Sequence, residues 1–216
     1  MTRTFLPTLR IVVAVAAIVA AGACSSDPAT KARKYVASGD KYFADKDYPA
    51  AAIEYRNALK VSPDLADAHY KLARTHEAAG EPAKAYAAYA RAADINPSNM
   101  DAHMQAGSLL LSAGEFDAAR ARAELALQAD PNYADAHILL GNALAGLNDV
   151  KRAIKQMEQA ISLDPSYAPA WSALGAVRFA GGNRQSADEA FRKAVQLAPD
   201  SADARLALAN SQWATG

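Results

Sequence analysis

The chain lacks most of what a disulfide-linked module, a nucleic-acid binder or an enzyme requires. It has 216 residues and one cysteine, Cys24, so no disulfide can form within it. Its 23 Lys and Arg residues are matched by 23 Asp and Glu residues, so the basic surface typical of a nucleic-acid binder is missing. It has no Gly-rich phosphate loop and no Gly-x-Ser-x-Gly nucleophile motif. We therefore predict no enzyme activity, no cofactor and no nucleic-acid partner.

No apolar run reaches the roughly 20 residues that a membrane-spanning helix needs. The longest run, residues 11–23, follows Arg3 and Arg10 and ends directly before Cys24. A basic start followed by an apolar run of this length is typical of a secretory signal peptide, which we assign to residues 1–23. On the simplest interpretation this is an ordinary secretory signal, and Cys24 remains an unused thiol.

The small residues before Cys24, Ala-Gly-Ala at 21–23, resemble the lipobox of bacterial lipoproteins. The resemblance implies that the chain is cut before Cys24 and that the cysteine is lipidated, which would anchor the protein to a membrane. Ser25 is similar to the residue that accompanies passage to the outer membrane in this family. We therefore expect a lipid-anchored protein of the cell envelope, on the periplasmic side and at the outer membrane, with residues 24–31 as the lipidated cysteine and a short tether.

From residue 32 onward the sequence repeats with a period of 34 residues. Near the end of each unit stands a proline: Pro63, Pro97, Pro131, Pro165 and Pro199. A fixed period in this range is typical of a solenoid, in which each unit packs on its neighbours. The array covers residues 32–216, with five full units, 32–65, 66–99, 100–133, 134–167 and 168–201, and a partial sixth, 202–216.

Two stripes of apolar residues at helical spacing fill each unit, with a polar break between them. In four units the break contains Gly or Asn, which suits a left-handed residue at a helix end: Gly80, Gly114, Asn148 and Gly182. The first unit has Lys46 instead. Small residues at positions 8, 20 and 27 of the unit predict a close approach of two antiparallel helices.

These positions resemble the tetratricopeptide repeat, whose signature is Trp, Leu, Gly, Tyr, Ala, Phe, Ala and Pro at fixed spacing. The fifth unit carries seven of the eight signature residues: Trp171, Leu174, Gly175, Ala187, Phe191, Ala194 and Pro199. It departs from the signature at Arg178. The resemblance implies an all-α fold, a right-handed α-solenoid of stacked helix-turn-helix repeats with five full 34-residue units plus one extra helix.

Position 4 of the unit holds His69, His103 and His137 in three successive units. A ladder of metal ligands is one interpretation. However, stacked helices lie about 8–10 Å apart, whereas histidine nitrogens lie about 2 Å from a zinc ion that they bind. We therefore predict packing roles for these histidines and no metal site.

Acidic residues recur at position 2 of the unit: Asp67, Asp101, Asp135 and Asp203. A carboxylate at the start of a helix gains about 0.3–1 kcal/mol from the helix dipole, which is our main interpretation. An acidic ladder for a ligand is compatible with it.

By resemblance to the family, positions 2, 5, 9, 12 and 13 of each first helix face a concave surface that binds peptides. The candidate partner-binding residues there are Val36, Asp40, Phe43, Tyr70, Arg74, Met104, Ser108, Leu111, Ile138, Asn142 and Phe179. They form an apolar stripe with polar edges, which suits an extended or helical protein segment. No lysine stands at these positions, so the clamp for a C-terminal carboxylate in the chaperone-binding branch of the family is not expected.

These observations predict a non-enzymatic scaffold lipoprotein that mediates protein–protein interactions in the bacterial cell envelope, within an assembly, secretion or export machinery. It resembles the repeat lipoproteins of exopolysaccharide systems. One alternative is a polysaccharide-handling subunit, in which Phe43, Tyr70, Phe179 and Trp213 stack on sugars; another is a regulatory subunit of an envelope hydrolase. Because the sequence ends in an apolar helix, we expect a fragment of a longer array, the alternative being a complete protein with an unusual cap.

Overall fold

The computed structural model describes residues 27–213, which form eleven α-helices and no strand. The helices are α1 Pro28–Ala44, α2 Tyr48–Val61, α3 Ala66–Ala78, α4 Pro82–Ile95, α5 Met100–Ser112, α6 Phe116–Ala129, α7 Ala134–Gly146, α8 Val150–Leu163, α9 Ala168–Ala180, α10 Arg184–Leu197 and α11 Ala202–Trp213. The signal peptide assigned to residues 1–23 and the lipidation site assigned to Cys24 lie outside the described residues.

The helices pack as consecutive pairs, α1 with α2 through α9 with α10, and α11 follows the last pair. The second helix of each pair packs on the first helix of the next pair. First helices of successive units also contact each other, as α5 with α7 and α7 with α9. The predicted solenoid of stacked helix-turn-helix units, five full units plus one extra helix, is confirmed.

The first helix begins at Pro28, four residues before the first repeat unit, as the sequence predicts from a capping aspartate followed by proline. Asp27 caps α1, because its carboxylate accepts a hydrogen bond from the Thr30 backbone N–H at 3.3 Å. Pro28 follows in the first turn, where a missing N–H costs nothing. Residues 28–31, which lie in the segment assigned as the lipidated cysteine and tether, are therefore helical. Among residues 27–213, no helix combines the length and the apolar character needed to cross a bilayer.

The turn inside each unit passes through one residue with a positive φ angle. Gly80, Gly114 and Gly182 have φ angles of 72°, 76° and 82°, and Asn148 has 61°. This confirms the left-handed residues predicted from Gly and Asn. Lys46 adopts the same φ of 61° without being glycine, so packing of the helix pair, rather than the turn residue, dictates this conformation.

Small residues at fixed positions line the interface between paired helices. Ten alanines at positions 20 and 27 of the five units are 0% exposed: Ala51, Ala58, Ala85, Ala92, Ala119, Ala126, Ala153, Ala160, Ala187 and Ala194. A Cβ on Gly39 would lie 2.6 Å from the Tyr55 ring, and a Cβ on Gly175 would lie 2.7 Å from the Phe191 ring. The close helix approach predicted from small residues is therefore present.

A side-chain hydrogen bond joins each of three units to the unit before it. Nε2 of His137 lies 3.0 Å from the Pro131 carbonyl oxygen, and Nε1 of Trp171 donates to the Pro165 carbonyl at 3.0 Å. His69 makes the same bond at 2.9 Å to the proline that ends the first unit. The predicted packing role of these histidines did not include this hydrogen bond. The missed signal is that His and Trp share a ring N–H, which can donate to a carbonyl that the proline turn leaves free.

His103 occupies the same position in the third unit and departs from this pattern. It is 3% exposed, and neither ring nitrogen has a hydrogen-bond partner in the described part of the chain. In the fourth unit the Gln156 amide lies 2.8 Å from Nδ1 of His137. The equivalent residue in the third unit is Arg122, whose guanidinium donates to Asp94 at 2.9 Å instead. Burial lowers the pKa of His103, and the Arg122 charge lowers it further.

Candidate partner-binding surface

The odd-numbered helices line one side of the stack, which we call the first-helix surface. Two clefts open on it. The N-terminal cleft, of about 300 Å³, is lined by Asp40, Phe43, Tyr55, Lys71 and Arg74. The central cleft, of about 320 Å³, is lined by Asp101, Met104, Gln105, Ser108, Leu111, Tyr133, Asp135, Ile138, Leu139 and Asn142.

The charged groups of the N-terminal cleft already have partners within the chain. Asp40 accepts hydrogen bonds from the Tyr55 hydroxyl and from Nζ of Lys71, both at 2.8 Å. The Arg74 guanidinium lies over the Phe43 ring, with its central carbon 5.2 Å from the ring centroid. Burial raises the pKa of Tyr55, and the bond to Asp40 raises it further. A ligand entering this cleft would therefore compete with existing contacts.

The central cleft combines an apolar floor with acidic and neutral polar groups. Its partly buried apolar side chains, which pack on the core of the C-terminal half, are Met104, Leu111 and Ile138. Asp101 and Asp135 lie in the first turns of α5 and α7. Ser108 and Asn142 supply a hydroxyl and an amide farther along the same helices. This combination can bind a segment that carries both apolar and hydrogen-bonding groups.

Eight of the eleven candidate residues line the two clefts: Asp40, Phe43, Arg74, Met104, Ser108, Leu111, Ile138 and Asn142. Val36 is 8% exposed and belongs to the core, so it is not available to a partner. The Tyr70 ring packs edge-on against Tyr89, with centroids 5.5 Å apart. Phe179 is half-buried and lies outside both clefts.

Position 2 of the unit was expected to face the concave surface, whereas the part that the last position of the unit plays in the central cleft was not predicted. Asp101 and Asp135 were interpreted mainly as helix-start residues, and Tyr133 was not singled out. In the structure all three line the cleft. Burial raises the pKa of Tyr133, and the Asp135 and Asp101 charges raise it further. In the sequence, Asp101 and Asp135 have no cationic residue four positions later, so neither is expected to form an ion pair along its own helix.

The aromatic residues proposed to stack on sugars differ in how accessible their rings are. Arg74 covers one face of Phe43, and Tyr70 is packed against Tyr89. Trp213, by contrast, is 90% exposed at the end of α11. Within residues 27–213, no group of three or more His, Cys, Asp or Glu side chains is arranged to hold a metal ion.

Family models of the tetratricopeptide repeat match four overlapping or adjoining segments. These are residues 39–80, 66–109, 110–178 and 168–201, which together run through 39–201. All four models describe this repeat, and none describes an enzyme. Comparison with the curated proteins finds no match.

Three solved structures show the same fold. The MamA protein is 26% identical with a TM-score of 0.67, covering 77% of this chain and 91% of that one. YrrB, described as a TPR protein with an unusual peptide-binding site, is 22% identical with a TM-score of 0.64, covering 82% and 91%. PilW, described as a widely conserved type IV pilus biogenesis factor, is 22% identical with a TM-score of 0.66, covering 84% and 86%. The four family models, which together cover residues 39–201, therefore identify this array as tetratricopeptide repeats.

Proposed function

We propose that the chain is a non-enzymatic scaffold of the bacterial cell envelope, which binds protein partners through its first-helix surface. The observation that supports this most directly is the pair of clefts on that surface. Eight residues chosen from the repeat pattern line them. The central cleft offers an apolar floor beside carboxylate, hydroxyl and amide groups, which suits an extended protein segment.

We propose the envelope location from the sequence alone. The basic start, the apolar run of residues 11–23 and the small residues before Cys24 are the support for a lipid anchor. Because α1 begins at Pro28, such an anchor would hold the repeat array within a few residues of the membrane. A role in an assembly, secretion or export machinery fits a scaffold held in this way. We place it on the periplasmic side, at the outer membrane.

A polysaccharide ligand is less well supported than a protein. Sugar binding by aromatic residues needs open ring faces, and Phe43 and Tyr70 are engaged with Arg74 and Tyr89. The residues that line the central cleft include one aromatic side chain, the half-buried Tyr133, and the rest are apolar or polar. We therefore keep a protein partner as the proposed ligand.

Affinity capture from detergent-solubilised membranes tests the binding surface. Ser108→Arg combined with Asn142→Arg places two long side chains in the central cleft without touching the core. We expect this double variant to lose the captured proteins. Glu124→Arg, on the exposed side of α6, is the matched control and should retain them. Identical capture by the double variant and the parent chain would contradict the proposal.

Labelling with a palmitate analogue tests the anchor. The parent chain should take up the label and fractionate with outer membranes. Cys24→Ala should remain unlabelled and leave the membrane fraction. Label on the Cys24→Ala variant would show that the anchor is not at this residue.

A further inference from the structure

The two carboxylates of the central cleft differ from their counterpart in the preceding unit. Asp67 occupies the same position in α3, but Lys71 lies one helical turn later, with Nζ 3.5 Å from Asp67 and 2.8 Å from Asp40. The negative charges beside the N-terminal cleft are therefore partly neutralised within the chain. All three aspartates share the same relation to a helix start, so helix stabilisation alone does not explain the difference.

Within the part of the chain that the structure describes, neither Asp101 nor Asp135 has such a partner. One turn after them stand Gln105 and Leu139, which carry no charge. Among residues 27–213, no Lys, Arg or His nitrogen lies within 4.0 Å of either carboxylate. The central cleft thus presents two carboxylates from adjacent units that no cationic side chain of residues 27–213 pairs with.

The carboxylates are held in place beside an apolar surface. The Tyr167 hydroxyl donates to Asp135 at 2.5 Å, which fixes the orientation of that carboxylate. Tyr133, which also lines the cleft, lies near enough to both carboxylates for their charges to raise its pKa. The apolar floor of Met104, Leu111 and Ile138 lies on the same two helices. A ligand with a positive charge and an adjacent apolar group would satisfy both features.

We propose that the central cleft binds an extended peptide segment whose Lys or Arg side chain sits between Asp101 and Asp135, while neighbouring apolar side chains pack on Met104, Leu111 and Ile138. This inference rests on the proposed function, because it names the chemistry of the partner that the first-helix surface would bind.

The spacing of the array favours this occupant. First helices of adjacent units lie about 8–10 Å apart, so aspartate side chains that project from both can approach one guanidinium or ammonium group. In an extended segment, residues are about 3.3 Å apart and alternate in direction, so apolar neighbours of the basic residue can reach the floor. An acidic segment would meet two like charges and be rejected.

Selection from a display library of random peptides of about twelve residues tests the inference on the full chain. We expect the enriched peptides to carry Lys or Arg next to apolar residues. Asp101→Asn combined with Asp135→Asn should weaken their binding by about tenfold, the size expected when two partly exposed ion pairs are lost. Asp67→Asn, at the equivalent but internally paired position, is the matched control and should bind as the parent chain does.

The outcomes separate this inference from the proposed function. Enriched peptides without basic residues, or full binding to the Asp101→Asn, Asp135→Asn double variant, would overturn the basic-segment inference and leave a protein-binding surface in place. A library that yields no binder would overturn both. Circular dichroism of the double variant should match that of the parent chain, since both aspartates lie outside the core.

Discussion

Leu139 of α7 fills the space that a side chain on Gly107 of α5 would need. A Cβ built on Gly107 would lie 2.3 Å from Cδ2 of Leu139, which is itself 5% exposed and has little room to move. This contact fixes how closely the third and fourth units approach, and those two units form the central cleft. Its loss would therefore affect stability and the binding surface together.

Gly107→Val should destabilise the array by overpacking this junction. We expect the free energy of unfolding to fall by about 1–3 kcal/mol, measured by urea denaturation. Ala121→Val, on the exposed face of α6, controls for the helix propensity of valine and should change stability by less than about 1 kcal/mol. An equal effect of the two substitutions would show that the Gly107–Leu139 contact does not determine the stability of this junction.

Lys46→Gly should stabilise the chain, because Lys46 has a φ of 61° in a turn where other units use glycine. The left-handed conformation costs a non-glycine residue about 1–2 kcal/mol, and the added freedom of glycine in the unfolded chain offsets part of that gain. We expect a net increase below about 1 kcal/mol. The reciprocal change, Gly114→Ala, introduces no clash, since nothing lies within 4 Å of the new Cβ. It should lower stability by about 1 kcal/mol, and an unchanged urea midpoint for both variants would contradict this account.

Asp94→Ala should leave a buried guanidinium without its partner. The Arg122 side chain is 10% exposed and bonds to Asp94 at 2.9 Å across the junction of the second and third units. Because Asp94 is half-exposed, we expect a loss of about 1–3 kcal/mol in the free energy of unfolding rather than the full cost of a buried pair. The control is Asp64→Ala, because the Arg91 side chain that pairs with Asp64 is 53% exposed. This substitution should lower the free energy of unfolding by less than about 1 kcal/mol. Adding Arg122→Met to Asp94→Ala should recover most of the loss, and its failure to do so would contradict a charge-based cause.

His103 should make the stability of the array depend on pH. Burial and the Arg122 charge lower its pKa from 6.5 in the folded chain, although the Pro97 carbonyl and Asp94 act in the opposite direction. The unfolded chain therefore binds the proton more readily. The contribution of neutral His103 is complete above about pH 6.5 and is lost as the pH falls toward the folded-state pKa.

We therefore expect the urea midpoint to decrease between about pH 7.5 and pH 5.5, with a shallower decrease in His103→Gln. Both proteins are compared at the same ionic strength. Parallel curves for the two proteins would assign the pH dependence to other groups.

The period in the sequence was sufficient to predict the helix pairs, the small residues between them and four of the five left-handed turns. Each depends on a residue type at a fixed position, such as the alanines at positions 20 and 27, all of them fully buried. The surface was less predictable. Val36 shares position 5 with Met104, yet it is buried in the core while Met104 lines a cleft, because neighbouring side chains differ from unit to unit. Whether an aspartate at position 2 forms an ion pair depends on the residue one turn later, and that residue differs from unit to unit.

The hydrogen bond from position 4 to the preceding proline carbonyl crosses the boundary between units, so its donor and its acceptor belong to different units. Deleting the fourth unit, residues 134–167, would bring the Trp171 donor to the Pro131 carbonyl in place of His137. The same deletion would remove one of the two helices that form the central cleft. Gain or loss of whole units can thus change the ligand preference of such an array in a single genetic step while the connection between neighbouring units is preserved.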